Sequence, residues 1–300
     1  MSNARPPTID PQAAQRWAGL VPLESPWLHE EVARRMEARL EWIARTPQGW
    51  LHWSPLQGGL QAQSLLAARY TGSKAYLVQE HPKQVAALKA VLQPRWWQWG
   101  SKKGLEFVLG LPAAPVQMLW ANMALHMASD PLEVIRQWHQ LLEVDGFLMF
   151  SCLGPDTLQE LRQVYKANNW PFPSHEFTDM HDWGDMLVQC GFSEPVMDME
   201  RITLTFTSPQ SLLKELRGLG RNLHCQRFGG LRGRKWLESL QQQMQVHMAA
   251  PDNPGRLQLT FEVVYGHAFK PPPRLTVAGQ SHISLEEMRQ TLKAAKGVAR

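Results

Sequence analysis

The groups best placed to do chemistry lie in the turns that follow apolar, strand-like runs. Trp50–Trp53 reads as a short strand, and the loop after it, Ser54-Pro-Leu-Gln-Gly-Gly59, holds two adjacent glycines. In an open parallel sheet this first strand-to-helix loop is where backbone comes closest to a ligand. Ala75–Gln79 reads as the next strand and stops at Glu80, in place for an acid that accepts hydrogen bonds from ribose hydroxyls. A solvated loop glutamate gives the same pattern. Gln117–Ala121 is a third apolar run, and Asn122 ends it where the active-site residues of such sheets collect. His126 follows four residues on, either at the mouth of a site or packed in the core. Gly154-Pro-Asp-Thr157 follows a further strand; it either borders a site or caps a helix through Asp156, with Glu160 beyond it. Trp96, Trp97 and Trp99 form either an aromatic platform or an alternating, half-buried strand.

The elements that must position these groups alternate. Leu28, Val32, Met36, Leu40 and Ile43 recur at helical spacing over residues 28–45. Helical patterns also cover 60–70 and 83–92, between the first strands. Asp130 and Pro131 mark a helix start by cap and first-turn proline, and the helix runs to about Leu142. Phe147–Cys152 is uninterrupted apolar, as for a strand covered on both faces. Strand, helix and strand joined by short turns predict a parallel sheet with crossover helices. Beyond residue 153 the expected order is helix 157–166, helix 181–190, strands 196–200 and 203–206, helix 208–218, helix 232–248 and strand 257–267. A short helix is expected at 285–295.

Composition sets the bounds. With 44% apolar and 19% charged residues the chain is globular. At 300 residues it is long enough for one large domain or two small ones. A formal net charge of +4 gives no argument for nucleic acid. The three cysteines, Cys152, Cys190 and Cys225, have no C-x-x-C spacing, so neither a disulfide framework nor a metal site is expected. There is no apolar run long enough for a membrane span and no signal-peptide pattern at the start, which points to a cytoplasmic protein. The unusual feature is aromatic: 13 tryptophans outnumber 10 phenylalanines and 4 tyrosines.

Four segments are more specific: Ser151-Cys-Leu-Gly-Pro-Asp-Thr-Leu-Gln-Glu-Leu-Arg162, Phe177-Thr-Asp-Met-His-Asp-Trp-Gly-Asp-Met-Leu-Val188, Gly191-Phe-Ser-Glu-Pro-Val-Met-Asp-Met-Glu200 and Thr260-Phe-Glu-Val-Val-Tyr-Gly-His-Ala-Phe269. Together with Leu119-Trp-Ala-Asn-Met-Ala-Leu-His126, they resemble the malonyl-ACP O-methyltransferase family of biotin synthesis, a branch of the class I S-adenosylmethionine-dependent methyltransferases. The resemblance spans about residues 12–270 and is strongest in the second half. It implies an α/β, Rossmann-like, mostly parallel seven-stranded sheet with flanking helices and a helical substrate cap. Under it, residues 1–10 form a disordered tail, 11–270 the methyltransferase-like domain and 271–300 a C-terminal extension. The cap is drawn from about 155–185 and 208–250.

The resemblance further implies S-adenosylmethionine as cofactor and a monomer whose partner is an acyl carrier protein bearing malonyl. It points to Gly58, Glu80 and Asn122 for cofactor binding and to Asn122, Arg217 and Arg227 for catalysis, the arginines as grips for the malonyl carboxylate. Cations Arg34, Arg35 and Arg39 on the first helix are set to meet the acidic carrier, or else form a solvated face. The sequence departs from the family where the first strand ends. His52 stands at the family's acid, Ser54 and Leu56 stand at two glycines, and Pro22 falls near an expected tyrosine. Those departures leave a second reading open, a non-catalytic protein of this fold acting as a binding or scaffold protein. A third is methylation of protein side chains.

Overall fold

The computed structural model describes residues 8–20, 25–92 and 107–273, with Glu286. Seven strands form one sheet in the order β3-β2-β1-β4-β5-β7-β6. They are β1 (Gly49–Trp53), β2 (Lys74–Val78), β3 (Phe107–Leu109), β4 (Val116–Ala121), β5 (Leu142–Leu153), β6 (Ser193–Phe206) and β7 (Leu257–Phe269). The first five run parallel, with Leu51 opposite Tyr76 on β2 and Leu119 on β4. β7 is antiparallel to both β5 and β6. This is the expected mostly parallel seven-stranded sheet. The expected strands 196–200 and 203–206 form one continuous strand, because β6 pairs with β7 along its whole length.

Side-chain alternation divides the core between two faces. Trp50, Met118 and Trp120 face one cluster, with Leu28, Val32 and Met36 of α2 (Trp27–Ala38). Leu51, Trp53, Leu119 and Ala121 face the other, with Ile135 and Trp138 of α6 (Pro131–Leu141) and Trp183 and Leu187 of α8 (Met180–Gln189). Successive residues of a strand point to opposite faces, so a strand buried on both sides must be apolar throughout. The tryptophans Trp50, Trp120, Trp138 and Trp183 are fully buried, and they fill this two-sided core.

Four further helices pack on the α2 side or lead to it: α4 (Ala62–Arg69), α7 (Gln159–Ala167), α9 (Pro209–Leu219) and α10 (Arg234–His247). α5 (Pro82–Leu92) links β2 to the β3 edge. The expected cap segment 155–185 cuts into α8, but Trp183 and Leu187 bury α8 against the opposite face of the sheet. Within the expected tail, residues 8–10 are part of the fold. Ile9 is buried and bridges His224, and Asp10 accepts from the amides of Gln12 and Ala13 to cap α1 (Pro11–Ala18). The expectations for residues 1–7, Pro22, Trp96, Trp97, Trp99 and, apart from Glu286, the helix at 285–295 fall outside the described residues.

Candidate active site

The strand order reverses between β1 and β4, so a crevice opens at their carboxyl ends. A cavity of about 380 Å³ lies there. That volume falls within the roughly 300–1,000 Å³ usual for small-molecule sites. Its walls come from the ends of three strands: Trp53 closing β1 with Ser54 after it, Glu80 after β2, and Asn122 and Met123 after β4. Helix α1 forms its roof through Ala14, Trp17 and Ala18. Ser54 and Met123 both turn through left-handed backbone, with φ of 50° and 52°. Such conformations cost about 1–3 kcal/mol each and cluster at ligand sites.

A glutamine relay ties this roof to the strand ends. Gln79 donates to the side-chain oxygens of Gln57 (2.9 Å) and Gln84 (2.7 Å). Gln84 in turn donates to the carbonyls of Ala18 and Leu20, both at 2.7 Å. The Leu56 side chain belongs to the core cluster beside Ala62 and Leu66, so its bulk is directed into the core. The first loop is thus closed by a short helix, α3 (Pro55–Gly58), and presents Ser54 and Gln57 to the cavity.

A second, apolar groove of about 200 Å³ adjoins the first. His126, Met127 and Leu219 line both. Leu153, Leu158, Leu213 and Phe261 supply its walls, and Arg217 and Arg221 stand on its rim. Histidines gather at the junction. His29 and His126 meet edge to face with centroids 6.5 Å apart, and both His126 and His175 contact Phe177. His29 donates through Nδ1 to the Gln57 carbonyl (2.5 Å), and His175 through Nε2 to the His126 carbonyl (2.7 Å). Burial holds His29 and His175 at about 4 and His126 well below 6.5. All three are therefore neutral at physiological pH, and His29 Nε2 remains a buried acceptor without a partner among the described residues.

The sequence-derived candidates separate on this geometry. Glu80 lines the cavity, and partial burial pushes its carboxyl pKa up. Asn122 lines it too, but its amide is committed elsewhere. Nδ2 donates to the carbonyls of His29 (2.8 Å) and Gly58, and Oδ1 accepts from the Ser151 hydroxyl (2.6 Å). Asn122 therefore braces α2, α3 and β5 while it stands in the cavity wall. Gly58 is not part of the cavity wall: a Cβ there would meet the Asn122 carbonyl oxygen at 2.7 Å, so this glycine serves close packing. His52 is buried in β1, where desolvation holds it at about 4.

Arg217 is exposed on the groove rim, without an ion pair among the described residues. Arg227 is committed: it pairs with Asp10 at 2.8 Å and donates to the His224 carbonyl at 2.8 Å. In this arrangement it tethers the N-terminal segment, and it is not among the residues lining either cavity. The Gly154–Thr157 motif also proves structural. The Asp156 amide donates to the Glu262 carboxylate (2.6 Å), and the Asp156 carboxylate pairs with Arg201 rather than capping α7. A Cβ at Gly154 would meet the Glu262 side chain at 2.8 Å.

Sequence reasoning missed α1, the glutamine relay and His29. Asp10-Pro11 repeats the cap-and-proline signature of Asp130-Pro131 and would have located α1. Among the described residues there is no group of three or more His, Cys, Asp or Glu side chains able to hold a metal, and no helix is long and apolar enough to cross a membrane.

A sheet of this order with a ligand crevice at its switch point and an acid closing β2 defines the class I methyltransferase fold. In agreement, a Bacillus halodurans C-125 protein assigned as a methyltransferase aligns with a TM-score of 0.50 at 16% identity, covering 79% of this chain and 99% of its own. The YcgJ protein of Bacillus subtilis aligns with the same TM-score at 12% identity, covering 80% and 100%. No family model matches the chain. The malonyl-[acyl-carrier protein] O-methyltransferase of Gallionella capsiferriformans (strain ES-2) is 36% identical over 265 residues, 85% of this chain and 88% of that one. The enzyme of the same name from Laribacter hongkongensis (strain HLHK9) is 35% identical over 256 residues, 82% and 84% of the two chains. The chain belongs to the malonyl-[acyl-carrier protein] O-methyltransferase family.

Proposed function

We propose that the protein is an S-adenosylmethionine-dependent O-methyltransferase that esterifies the free carboxylate of malonyl-[acyl-carrier protein] in biotin synthesis, acting in the cytoplasm as a monomer. The observation that carries this reading is the junction of two unlike cavities at His126, Met127 and Leu219. One has an acid at the end of β2; the other is apolar with a cation on its rim. The residues around the first fit the cofactor: Glu80 would accept from the ribose hydroxyls, while Ser54, Gln57 and the open acceptor of His29 supply further polar contacts. When bound, the cofactor supplies a methyl group on a sulfonium.

The chain's own residues contribute position and charge. A malonyl carboxylate is ionised at neutral pH and is already nucleophilic, so no general base is needed. Arg217, on the rim, is assigned to hold that carboxylate, and the apolar walls of the groove to hold the thioester arm that follows it. The neutral histidines at the junction keep positive charge away from the place where a cationic cofactor and an anionic substrate meet. Orientation of two bound reactants is worth up to about 7–11 kcal/mol. The helices α7, α9 and α10, within about 155–185 and 208–250, serve as the substrate cap.

The test is methyl transfer from labelled cofactor, read by mass spectrometry of the carrier. Wild type should place one base-labile methyl on malonyl-loaded carrier and none on unloaded carrier. Arg217→Gln should lower kcat/KM for that substrate by about 10–100-fold, the worth of a charge-assisted hydrogen bond. Label appearing in other proteins but not in the carrier would refute the reading.

A further inference from the structure

The positive charge of this protein is concentrated. Between Pro209 and Trp236 the chain carries Lys214, Arg217, Arg221, Arg227, Arg232, Arg234 and Lys235 against one acid, Glu215. That stretch holds more net positive charge than the whole chain, whose total is +4, so everything else is net negative. The cations on α2 and just after it that the sequence marked for a carrier, Arg34, Arg35 and Arg39, are neutralised within the fold. Arg34 and Arg35 both engage Glu31, holding its carboxyl at about 2. Arg35 also pairs with Glu200 at 2.7 Å, and Arg39 pairs with Asp198 at 2.9 Å while lying 3.7 Å over the Tyr265 ring. By contrast, Arg217, Arg221, Arg234 and Lys235 have no ion pair among the described residues, and all four are exposed.

The loop that joins α9 to α10 is built to present this charge. Arg232 anchors its base, stacked 3.8 Å over Trp236 and 4.4 Å over Phe228. Next to that anchor Leu231 is fully exposed. An exposed apolar side chain followed within four residues by the exposed cations Arg234 and Lys235 has the makings of a contact site, with an apolar centre beside charge. A Cβ on Gly229, Gly230 or Gly233 would meet nothing, and none of the three has positive φ, so neither crowding nor backbone strain demands these glycines. They leave the tip open to a partner. Arg217 and Arg221, on the rim of the apolar groove, lie earlier in the same stretch of chain.

We propose that the 228–235 loop and first turn of α10 are the docking surface for an acidic carrier protein, which seats Leu231 in an apolar recess among its carboxylates and delivers its acyl arm into the adjoining groove. The inference rests on the malonyl-carrier reading above. A surface of unpaired cations raises the association rate with an acidic partner, and salt screens the effect.

The experiment measures binding of fluorescently labelled malonyl-acyl carrier protein to the full chain by anisotropy at low and high salt. The variant Leu231→Ala/Arg234→Glu/Lys235→Glu alters only exposed side chains, and its thermal unfolding midpoint reports that the fold is kept. Its affinity for the carrier should fall at least about tenfold, and the salt dependence of binding should flatten. The control Lys83→Glu/Lys89→Glu on α5, beside the β3 edge, makes the same charge change elsewhere and should shift affinity no more than about twofold. Unchanged affinity in the loop variant, an equal loss in the control, or no carrier binding by wild type would each overturn the docking surface. Wild type that binds the carrier through this loop but transfers no methyl would overturn the functional reading and leave the surface standing.

Discussion

Glu80 and Asn122 both face the cavity from strand ends, yet their surroundings assign them different work. Glu80 has no ion pair among the described residues, and its carboxylate at the end of β2 is open to accept from a hydroxyl-bearing ligand in the cavity. Glu80→Gln should weaken cofactor binding by about 10–100-fold and leave carrier binding unaltered. Calorimetry on both ligands checks this, and an unchanged cofactor Kd would remove Glu80 from the site. Asn122 and Gly58 act on one contact from its two sides. The Gly58 carbonyl accepts from the Asn122 amide, while its α-carbon lies under the Asn122 carbonyl. Gly58→Ala would ordinarily favour a helix by up to about 1 kcal/mol. Here the new methyl has only backbone 2.7 Å away to push against, so the sign reverses. Overpacking of this kind costs about 1–3 kcal/mol, measurable by urea unfolding, and a stabilised variant would refute the packing role.

At the scale of elements, the glutamine relay holds a helix as a lid frame. Asp10, paired with Arg227, and Ile9 hold the start of α1, whereas its far end over the cavity is held by Gln84, which grips the carbonyls of Ala18 and, just beyond the helix, Leu20. Gln84→Leu keeps the size but removes both donors. The α1 amides should then exchange faster with solvent, and cofactor affinity should fall about tenfold, with at most about 1–3 kcal/mol lost in global stability. Unaltered exchange in α1 would show that the helix is held by other means. Little of this was legible in the sequence. The parallel strands were, because β1, β4 and β5 are buried on both faces and must be apolar runs. The relay was not, since Gln57, Gln79 and Gln84 carry no periodicity and meet only where α3, the end of β2 and the start of α5 converge. The motifs of residues 151–269 identified the family, but several of their residues turn out to lock β5, α7 and β7 together. Thr157 and Glu262 exchange hydrogen bonds, and Glu160 accepts from both the amide and the hydroxyl of Thr260. Arg227 read as a free cation because its partner, Asp10, lies more than two hundred residues away in the chain.

Across the whole molecule, the two faces of the sheet and the site share an unusual reserve of buried, neutral imidazole. His29, His52 and His175 are held at about 4 against an ordinary 6.5, and His126 is held well below it, in each case because burial disfavours the cation. The unfolded chain takes up these protons as pH falls below 6.5, while the folded chain does not until about 4. The unfolded state therefore binds more protons throughout that window, and folding stability must fall as pH falls through it. The depressed carboxyls add to the loss only further down: Glu31 titrates near 2, and its stabilisation disappears below the ordinary 4.5 of a glutamate. The upper part of the window thus belongs to the histidines. Urea midpoints should be flat from about pH 8 to 7 and then decline steeply towards about pH 5, while the protein remains native in dilute buffer near neutrality. The same burial keeps the junction uncharged, so methyl transfer by wild type should show no histidine-like inflection between about pH 6.5 and 8. A midpoint that holds constant down to about pH 5 would mean that these rings already carry protons or solvent in the folded state, and the neutral junction between cofactor cavity and acyl groove would have to be given up.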